Sequence, residues 1–222
     1  MSHVLPIPVG DLDPAPVGDL DRWPSFLGPR QHVTRNSRPA VGIVSELSKL
    51  KGADEIPSLL QILAPVARVL VAGTGPLMSE VVSARLSLPP HERQGVEILG
   101  LVPPEEMQEF YERIDYLLIL SHTESQCRVV TEAMLQGVLV IARRTTGIED
   151  LIEDGRTGFF LEPWDVGMIA DRLTPGSVVN DREEPIRLRA FGQALSAREQ
   201  HAARWLSHAS RSLDLSAIRR RD

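Results

Sequence analysis

Short apolar segments recur along the middle of the chain, and amphipathic segments separate them. Six apolar segments have the length of a strand: residues 40–44, 66–72, 96–99, 116–120, 138–142 and 158–161. Helical stretches are predicted at about residues 53–63, 76–86, 104–114, 148–153 and 165–173. Between residues 120 and 138 there is just enough chain for one crossover helix, which makes the flanking strands parallel. This alternation predicts an α/β fold with a single doubly wound, Rossmann-like sheet of six parallel strands.

The two ends of the chain lack this alternation. Residues 1–39 are rich in proline and carry the sequence PVGDLD twice, so we expect an extended lead-in or linker. Residues 40–184 are expected to form the doubly wound domain. Residues 185–222 are helical by composition and form a predicted C-terminal tail, with Phe191, Leu195 and Trp205 as its larger apolar anchors.

Size, charge and cysteine content narrow the classes of function. A chain of 222 residues can bury one good core but has no room for two full doubly wound domains. The net charge of −6 argues against nucleic acid as a main partner. The one cysteine, Cys127, excludes an internal disulfide and suits a reducing compartment. No segment approaches the ~18 apolar residues of a spanning helix, so we expect a cytoplasmic protein without an integral membrane segment.

The predicted topology places a binding site at one edge of the sheet. Ligands of open parallel sheets bind beyond the carboxyl ends of the strands. We therefore expect one sheet edge to gather the residues that follow the first five strands, which are Ser45, Gly73, Leu101, Glu124 and Thr146.

The fourth and fifth predicted strands flank two glutamates. The segment reads DYLLILSHTESQCRVVTEAMLQGVLVIA and places Glu124 and Glu132 eight positions apart. It resembles the nucleotide-binding half of retaining GT-B glycosyltransferases of family 4, which often read SHTEGFG or SHTEGFP here, followed by a helix ending in EAM. The resemblance implies half of a GT-B fold and a nucleotide-sugar donor. It also implies that Glu124 faces the donor sugar and that Glu132 holds the ribose hydroxyls.

A second motif follows the first strand. Residues 45–52 read SELSKLKG and are similar to the GRLSPEKG motif of that family, in which an arginine and a lysine bind the donor diphosphate. Lys51 matches the lysine, whereas Glu46 takes the place of the arginine and would repel a diphosphate that it faced. Arg128 follows Ser125, Gln126 and Cys127, which stand where the family usually has glycine, phenylalanine and glycine, and it is a candidate for the missing charge. Without the resemblance, Lys51 is an ordinary surface charge.

Two further motifs extend the resemblance. AGTGP, at residues 72–76, resembles AGDGP and implies that Gly73 and Gly75 admit the donor; a tight turn is the structural alternative. GLVPPEE, from residue 100, resembles GFVPREE and implies that Leu101 and Val102 contact the nucleotide base; a helix entry is the alternative. Cys127 is interpreted as a small structural side chain rather than a nucleophile, because no partner base is evident.

These residues lead to two hypotheses from different classes. The first is a retaining glycosyltransferase that uses a UDP-, GDP- or similar nucleotide sugar, with Lys51 and Glu124 as catalytic residues and a separate acceptor-binding chain or a second copy as partner. No metal or other cofactor is implied, since no Asp-x-Asp pair follows a strand. The alternative is a degenerate, non-catalytic binding or scaffold module, which Glu46 and the missing glycines favour. A flavodoxin-like receiver is disfavoured, because no acidic cluster follows the first strand.

Overall fold

One parallel sheet of six strands organises the molecule. The computed structural model of the chain describes residues 38–124, 127–161 and 165–173, together with positions 186, 189, 190 and 192–194. The strand order is β3-β2-β1-β4-β5-β6, and all five pairings are parallel. The strands are β1 (Ala40–Val44), β2 (Arg68–Ala72), β3 (Val96–Gly100), β4 (Tyr116–Ile119), β5 (Leu139–Ala142) and β6 (Phe159–Phe160). The predicted fold class is confirmed.

Helices connect the strands as the alternation predicted. They are α1 (Ile56–Leu63), α2 (Met78–Ser87), α3 (Pro90–Arg93), α4 (Met107–Glu112), α5 (Arg128–Leu135), α6 (Thr146–Glu149) and α7 (Val166–Leu173). Within the described residues, 3₁₀ turns lie at Lys49–Lys51, Ala53–Glu55 and Pro104–Glu106.

Most boundaries differ from the predictions by a few residues, and three differences have a clear local cause. β2 begins at Arg68 rather than at residue 66, because the Val66 and Ala67 N–H groups donate to Leu63 O and close the end of α1. α3 was not predicted; it is a single turn that begins at Pro90, whose missing N–H costs nothing at a helix start. α6 begins and ends earlier than the predicted 148–153, because extended Thr145 precedes its first turn.

The core occupies both faces of the sheet, which explains why the strands are apolar throughout. Alternate residues of each strand point to opposite faces. One face carries Val41, Val69 and Leu118, and α1, α2 and α7 cover it with Leu59, Val81 and Ile169, among others. The other carries Leu70, Leu117 and Val140, and α4, α5 and α6 cover it with Phe110, Val130 and Ile148, among others.

The crossovers diverge on either side of the boundary between β1 and β4. β1 pairs with β2 on one side and with β4 on the other, so the loops that follow β1 and β4 leave a crevice between them. A small cavity at this point is lined by the ends of β1 and β4 and the start of α5, including Ser45, Glu124 and Cys127. We call this region the β1–β4 crevice.

The predicted end segments fall mostly outside the described residues. The lead-in over residues 1–39 is described from residue 38 onward. Of the predicted tail, positions 186, 189, 190 and 192–194 are described and helical, while Phe191, Leu195 and Trp205 lie outside. Within the part of the chain that is described, no helix has the length and apolar character needed to cross a membrane.

Candidate functional site

The carboxyl edge of the sheet gathers the predicted site residues. Ser45, Gly73 and Leu101 directly follow β1, β2 and β3, Glu124 lies in the loop after β4, and Thr146 begins α6 after β5. Because all six strands are parallel, these positions share one edge, as predicted.

Lys51 and Glu124 meet in the crevice as an ion pair. Lys51 Nζ donates to Glu124 Oε1 at 2.8 Å. The side chains are 27% and 11% exposed, so water screens the pair only in part. Two residues predicted to contact different parts of a donor are therefore bound to each other.

Gly52 makes this pairing possible. It follows the turn Lys49–Lys51 with a φ of 71°, in the left-handed region that favours glycine. A Cβ at this position would overlap the carbonyl oxygen of Leu120, so only glycine lets the turn approach the chain after β4 so closely. The backbone of His122 completes the contact by donating to Leu50 O at 3.1 Å.

Glu132 lies on α5 and is held from two sides. The hydroxyl of Tyr111, on α4, donates to Glu132 Oε2 at 2.9 Å. Arg128, one turn earlier on α5, places Nη2 3.6 Å from Oε1. Burial, followed by the charge of Glu132, raises the pKa of Tyr111 far above its usual range, so the phenol stays a donor at every working pH.

Arg128 therefore has a partner that the sequence did not predict. Its side chain is 48% exposed and pairs with the carboxylate four residues later, an ordinary helix-surface arrangement. A role toward diphosphate stays a prediction. Glu46 is exposed, in the loop directly after β1.

Gly73 and Gly75 have a packing role inside the protein. Gly73 has a φ of 137°, and a Cβ there would overlap the carbonyl oxygen of Ser45. A Cβ on Gly75 would lie 2.6 Å from the carbonyl oxygen of Leu47, which is in the loop after β1, as Ser45 is. The two glycines thus let the loops after β1 and β2 pack backbone to backbone. Whether they also contact a donor stays a prediction.

The remaining predicted residues differ in accessibility. Leu101 is 75% exposed at the end of β3, while Val102 is half-buried and packs on the core face formed with α4 and α5. Cys127 is buried, and burial, with a smaller effect of Glu124, raises its pKa to about 12. The thiol is therefore neutral near pH 7, in agreement with a structural role.

Two buried hydroxyls in the loop after β1 are without a hydrogen bond. Within the part of the chain that the structure describes, the Ser45 and Ser48 hydroxyl oxygens are buried and meet no partner. Buried polar groups normally have a protein, water or ligand partner, and a polar ligand in this loop would supply one. Ser45 also lines the β1–β4 crevice.

A cluster of charged side chains, which was not predicted from the sequence, connects loops at the same edge of the sheet. Arg143, directly after β5, makes an ion pair with Glu55 and lies 2.7 Å from His122 Nδ1 through Nη1. The cluster ties the segment that follows Lys51 to the ends of β4 and β5. Tyr111 was missed as well, because in a helical pattern a buried tyrosine looks like any core residue. Among the described residues no group of three or more His, Cys, Asp or Glu side chains could hold a metal ion.

Comparison with known proteins gives one consistent family. The family model for glycosyl transferases group 1 matches residues 28–194. D-inositol 3-phosphate glycosyltransferase of Corynebacterium urealyticum is 29% identical over 196 residues, which cover 79% of this chain and 43% of that protein. Sulfoquinovosyl transferase SQD2 of Arabidopsis thaliana is 29% identical over 149 residues, 66% of this chain and 28% of that protein. The chain thus spans less than half the length of both curated relatives.

Solved structures agree on the fold. Anabaena Alr3699/HepE in complex with UDP-glucose superimposes with a TM-score of 0.62 at 25% identity, covering 81% of this chain and 51% of that one. The C-terminal domain of a glycosyl transferase group 1 family protein (LpcC) from Francisella tularensis gives a TM-score of 0.59 at 20% identity, with 71% of this chain and 85% of that one covered.

Proposed function

The chain belongs to the group 1 glycosyl transferases, and from that premise we propose that it binds a nucleotide-diphospho sugar in the β1–β4 crevice and takes part in transferring the sugar with retention. In this proposal it corresponds to the C-terminal, donor-binding half of a family 4 GT-B enzyme. The Francisella C-terminal domain, most of which the chain covers, supports that placement. The Anabaena complex with UDP-glucose supports a nucleotide-sugar donor.

The Lys51–Glu124 ion pair is the observation that carries the proposal. Lys51 puts a cation into a partly closed crevice at the carboxyl ends of β1 and β4, where ligands of doubly wound sheets bind. A leaving diphosphate develops negative charge that such a cation stabilises. The unsatisfied hydroxyls of Ser45 and Ser48 lie in the same loop and can donate to phosphate oxygens.

Glu124 and Glu132 are assigned to the two sugars of the donor. Once Lys51 turns to the diphosphate, Glu124 is released from its ion pair and can accept hydrogen bonds from the transferred sugar. Glu132, on the next helix, accepts from the ribose hydroxyls. The exposed side chain of Leu101 packs on the base, with Val102 beneath it. No added nucleophile takes part, and positioning together with leaving-group stabilisation supplies the rate.

The acceptor is proposed to bind outside the described domain, on a further domain, a partner chain or a second copy. The Anabaena structure, of which this chain covers 51%, supports this division. A preparation of these 222 residues alone is expected to hydrolyse donor slowly and to transfer sugar poorly, because the one described sheet supplies only one wall of a cleft that excludes water. Robust transfer by a monomeric preparation would contradict this part of the proposal.

Titration calorimetry with UDP and GDP tests donor binding. Lys51→Met should weaken binding of the preferred nucleotide about ten- to a hundredfold, the loss expected for one charge-assisted hydrogen bond. Lys49→Met is the matched control, since it removes an equal charge from the same turn, where Lys49 is exposed. Equal losses in the two variants would mean that only the general charge of the loop matters.

A second function is favoured by one specific observation. Glu46 stands where the resembled family has a phosphate-binding arginine, and its exposed position lets it face a ligand in the crevice. A non-catalytic binding or scaffold module would keep the fold without the donor site. The absence of UDP and GDP binding by a folded protein, with or without Glu46→Arg, would favour this function over transfer.

A further inference from the structure

We infer that Tyr111 is a positioning residue, which fixes the Glu132 carboxylate for recognition of the nucleotide ribose. The inference rests on the proposed function, in which Glu132 accepts hydrogen bonds from ribose hydroxyls. Tyr111 comes from α4 and is outside all the motifs that carried the family resemblance. Its hydroxyl nevertheless donates directly to the proposed ribose-binding side chain, at 2.9 Å from Oε2.

The tyrosine is itself held rigidly. It is 2% exposed, and its ring lies edge-on to Phe110 with centroids 5.7 Å apart and an interplanar angle of 77°. Both aromatic residues belong to the core face that α4 and α5 share. The hydroxyl therefore sits at a fixed point at the edge of the core, beside α5.

Glu132 needs such a support. Its side chain is 30% exposed, and an unsupported glutamate on a helix surface samples several rotamers that binding must restrict. A carboxylate has about four lone-pair positions, so accepting one bond from Tyr111 leaves capacity for two ribose hydroxyls. Arg128, at 3.6 Å from Oε1 and half exposed, is a looser contact that a ligand can displace.

The two contacts on Glu132 therefore have different consequences. Tyr111 approaches from the protein interior and stays protonated, so its contact persists when a nucleotide arrives. It aims one oxygen inward and leaves Oε1 for the ligand. Removing this hydroxyl should therefore weaken recognition of the ribose while leaving the diphosphate and base contacts unchanged.

Nucleotides with and without ribose hydroxyls test this inference. Calorimetry would give the affinities of the wild type for UDP and GDP and for their 2′,3′-dideoxy forms. The wild type should bind the preferred ribonucleotide about tenfold more tightly than its dideoxy form, the effect of hydrogen bonds to a charged group. In Tyr111→Phe this ratio should fall to about twofold, with the affinity for the dideoxy form unchanged.

The chain offers a matched control, because it contains two tyrosines. Tyr116→Phe removes the hydroxyl of a buried tyrosine at the start of β4, at the opposite edge of the sheet, and should leave the ratio at the wild-type value. If Tyr111→Phe fails to fold, Tyr111→Met provides apolar bulk without a hydroxyl and carries the same expectation. A wild-type ratio in the Tyr111 variant would overturn the inference.

A further variant separates this failure from that of the proposed function. Glu132→Gln should bring the ratio close to one if Glu132 holds the ribose. A wild type that does not bind either nucleotide, or that binds both forms equally, would contradict the ribose site and the inference together. If the wild type and Glu132→Gln behave as proposed and Tyr111→Phe keeps the full ratio, the role of Tyr111 alone is wrong.

Discussion

Glu124→Gln is expected to strengthen the binding of free UDP, although Glu124 is proposed to be needed for transfer. Glu124 Oε1 lies 2.8 Å from Lys51 Nζ, so a diphosphate has to take the lysine away from the glutamate. The negative charge of Glu124 also opposes an incoming diphosphate. Glutamine is nearly isosteric, yet it removes both effects.

The geometry of the ion pair sets the size of the gain. At 2.8 Å the attraction is about 6 kcal/mol with an effective dielectric constant of about 20, before any desolvation cost is subtracted. Desolvation and the partial exposure of Lys51 reduce this to about 1.5 kcal/mol, the lower end for hydrogen bonds to charged groups. The variant should therefore bind UDP about tenfold more tightly.

A double-mutant cycle measured by calorimetry separates this cause from others. Wild type, Glu124→Gln, Lys51→Met and the double variant are titrated with UDP, and the gain from Glu124→Gln should be smaller when Lys51 is methionine, because only the removal of repulsion then remains. Asp171→Asn, an exposed position on α7, controls for the loss of one negative charge. Unchanged or weaker UDP binding by Glu124→Gln, in a protein whose Lys51→Met variant loses affinity, would refute competition for the lysine.

Three other changes have definite expected outcomes. Gly73→Ala should lower the free energy of unfolding by about 2–4 kcal/mol, because the new Cβ would overlap the carbonyl oxygen of Ser45. Gly155→Ala should cost only about 1–2 kcal/mol, since φ is 70° there but the space around the Cβ is open. Equal costs in denaturant titrations would refute the overlap with Ser45. Cys127 should resist a thiolate-specific reagent at pH 8 until the protein unfolds. The free energy of unfolding should fall as pH rises from 9.0 toward about 12, because only the thiol of the unfolded chain ionises in this range. A difference in unfolding free energy between wild type and Cys127→Ala that does not change with pH would contradict this. Wild-type protein should bind UDP or GDP with a dissociation constant of about 0.1–1 mM, and Glu46→Arg should improve it about ten- to a hundredfold in calorimetry, unless Glu46 points away from the ligand.

The sequence was sufficient for the sheet because its strands are buried on both faces. Residues 40–44 and 138–142 are apolar at every position, a pattern that few other structures produce. Helix ends were harder to predict. The hydrogen bonds from the Val66 and Ala67 N–H groups to Leu63 O, which close the end of α1, depend on local backbone geometry. Residue type determines this geometry only weakly.

Site positions were easier to predict than site contacts. Topology alone brings Lys51 and Glu124 to one edge, but their direct pairing depends on how closely Gly52 lets the turn approach Leu120. The position of Tyr111 carried no signal of its contact with Glu132. A helical pattern indicates which face of a helix is buried, but it does not indicate which group the hydroxyl of a buried tyrosine contacts.

The cluster of Glu55, Arg143 and His122 restricts how this chain can change during evolution. Glu55 and Arg143 are 88 positions apart, and both side chains are largely shielded from water. Losing either partner would remove this ion pair and unbalance the charge of a partly buried cluster, whereas losing both together would keep that charge balanced. In a collection of relatives, the two positions should therefore vary jointly, and a relative with a neutral residue at one position should also be neutral at the other.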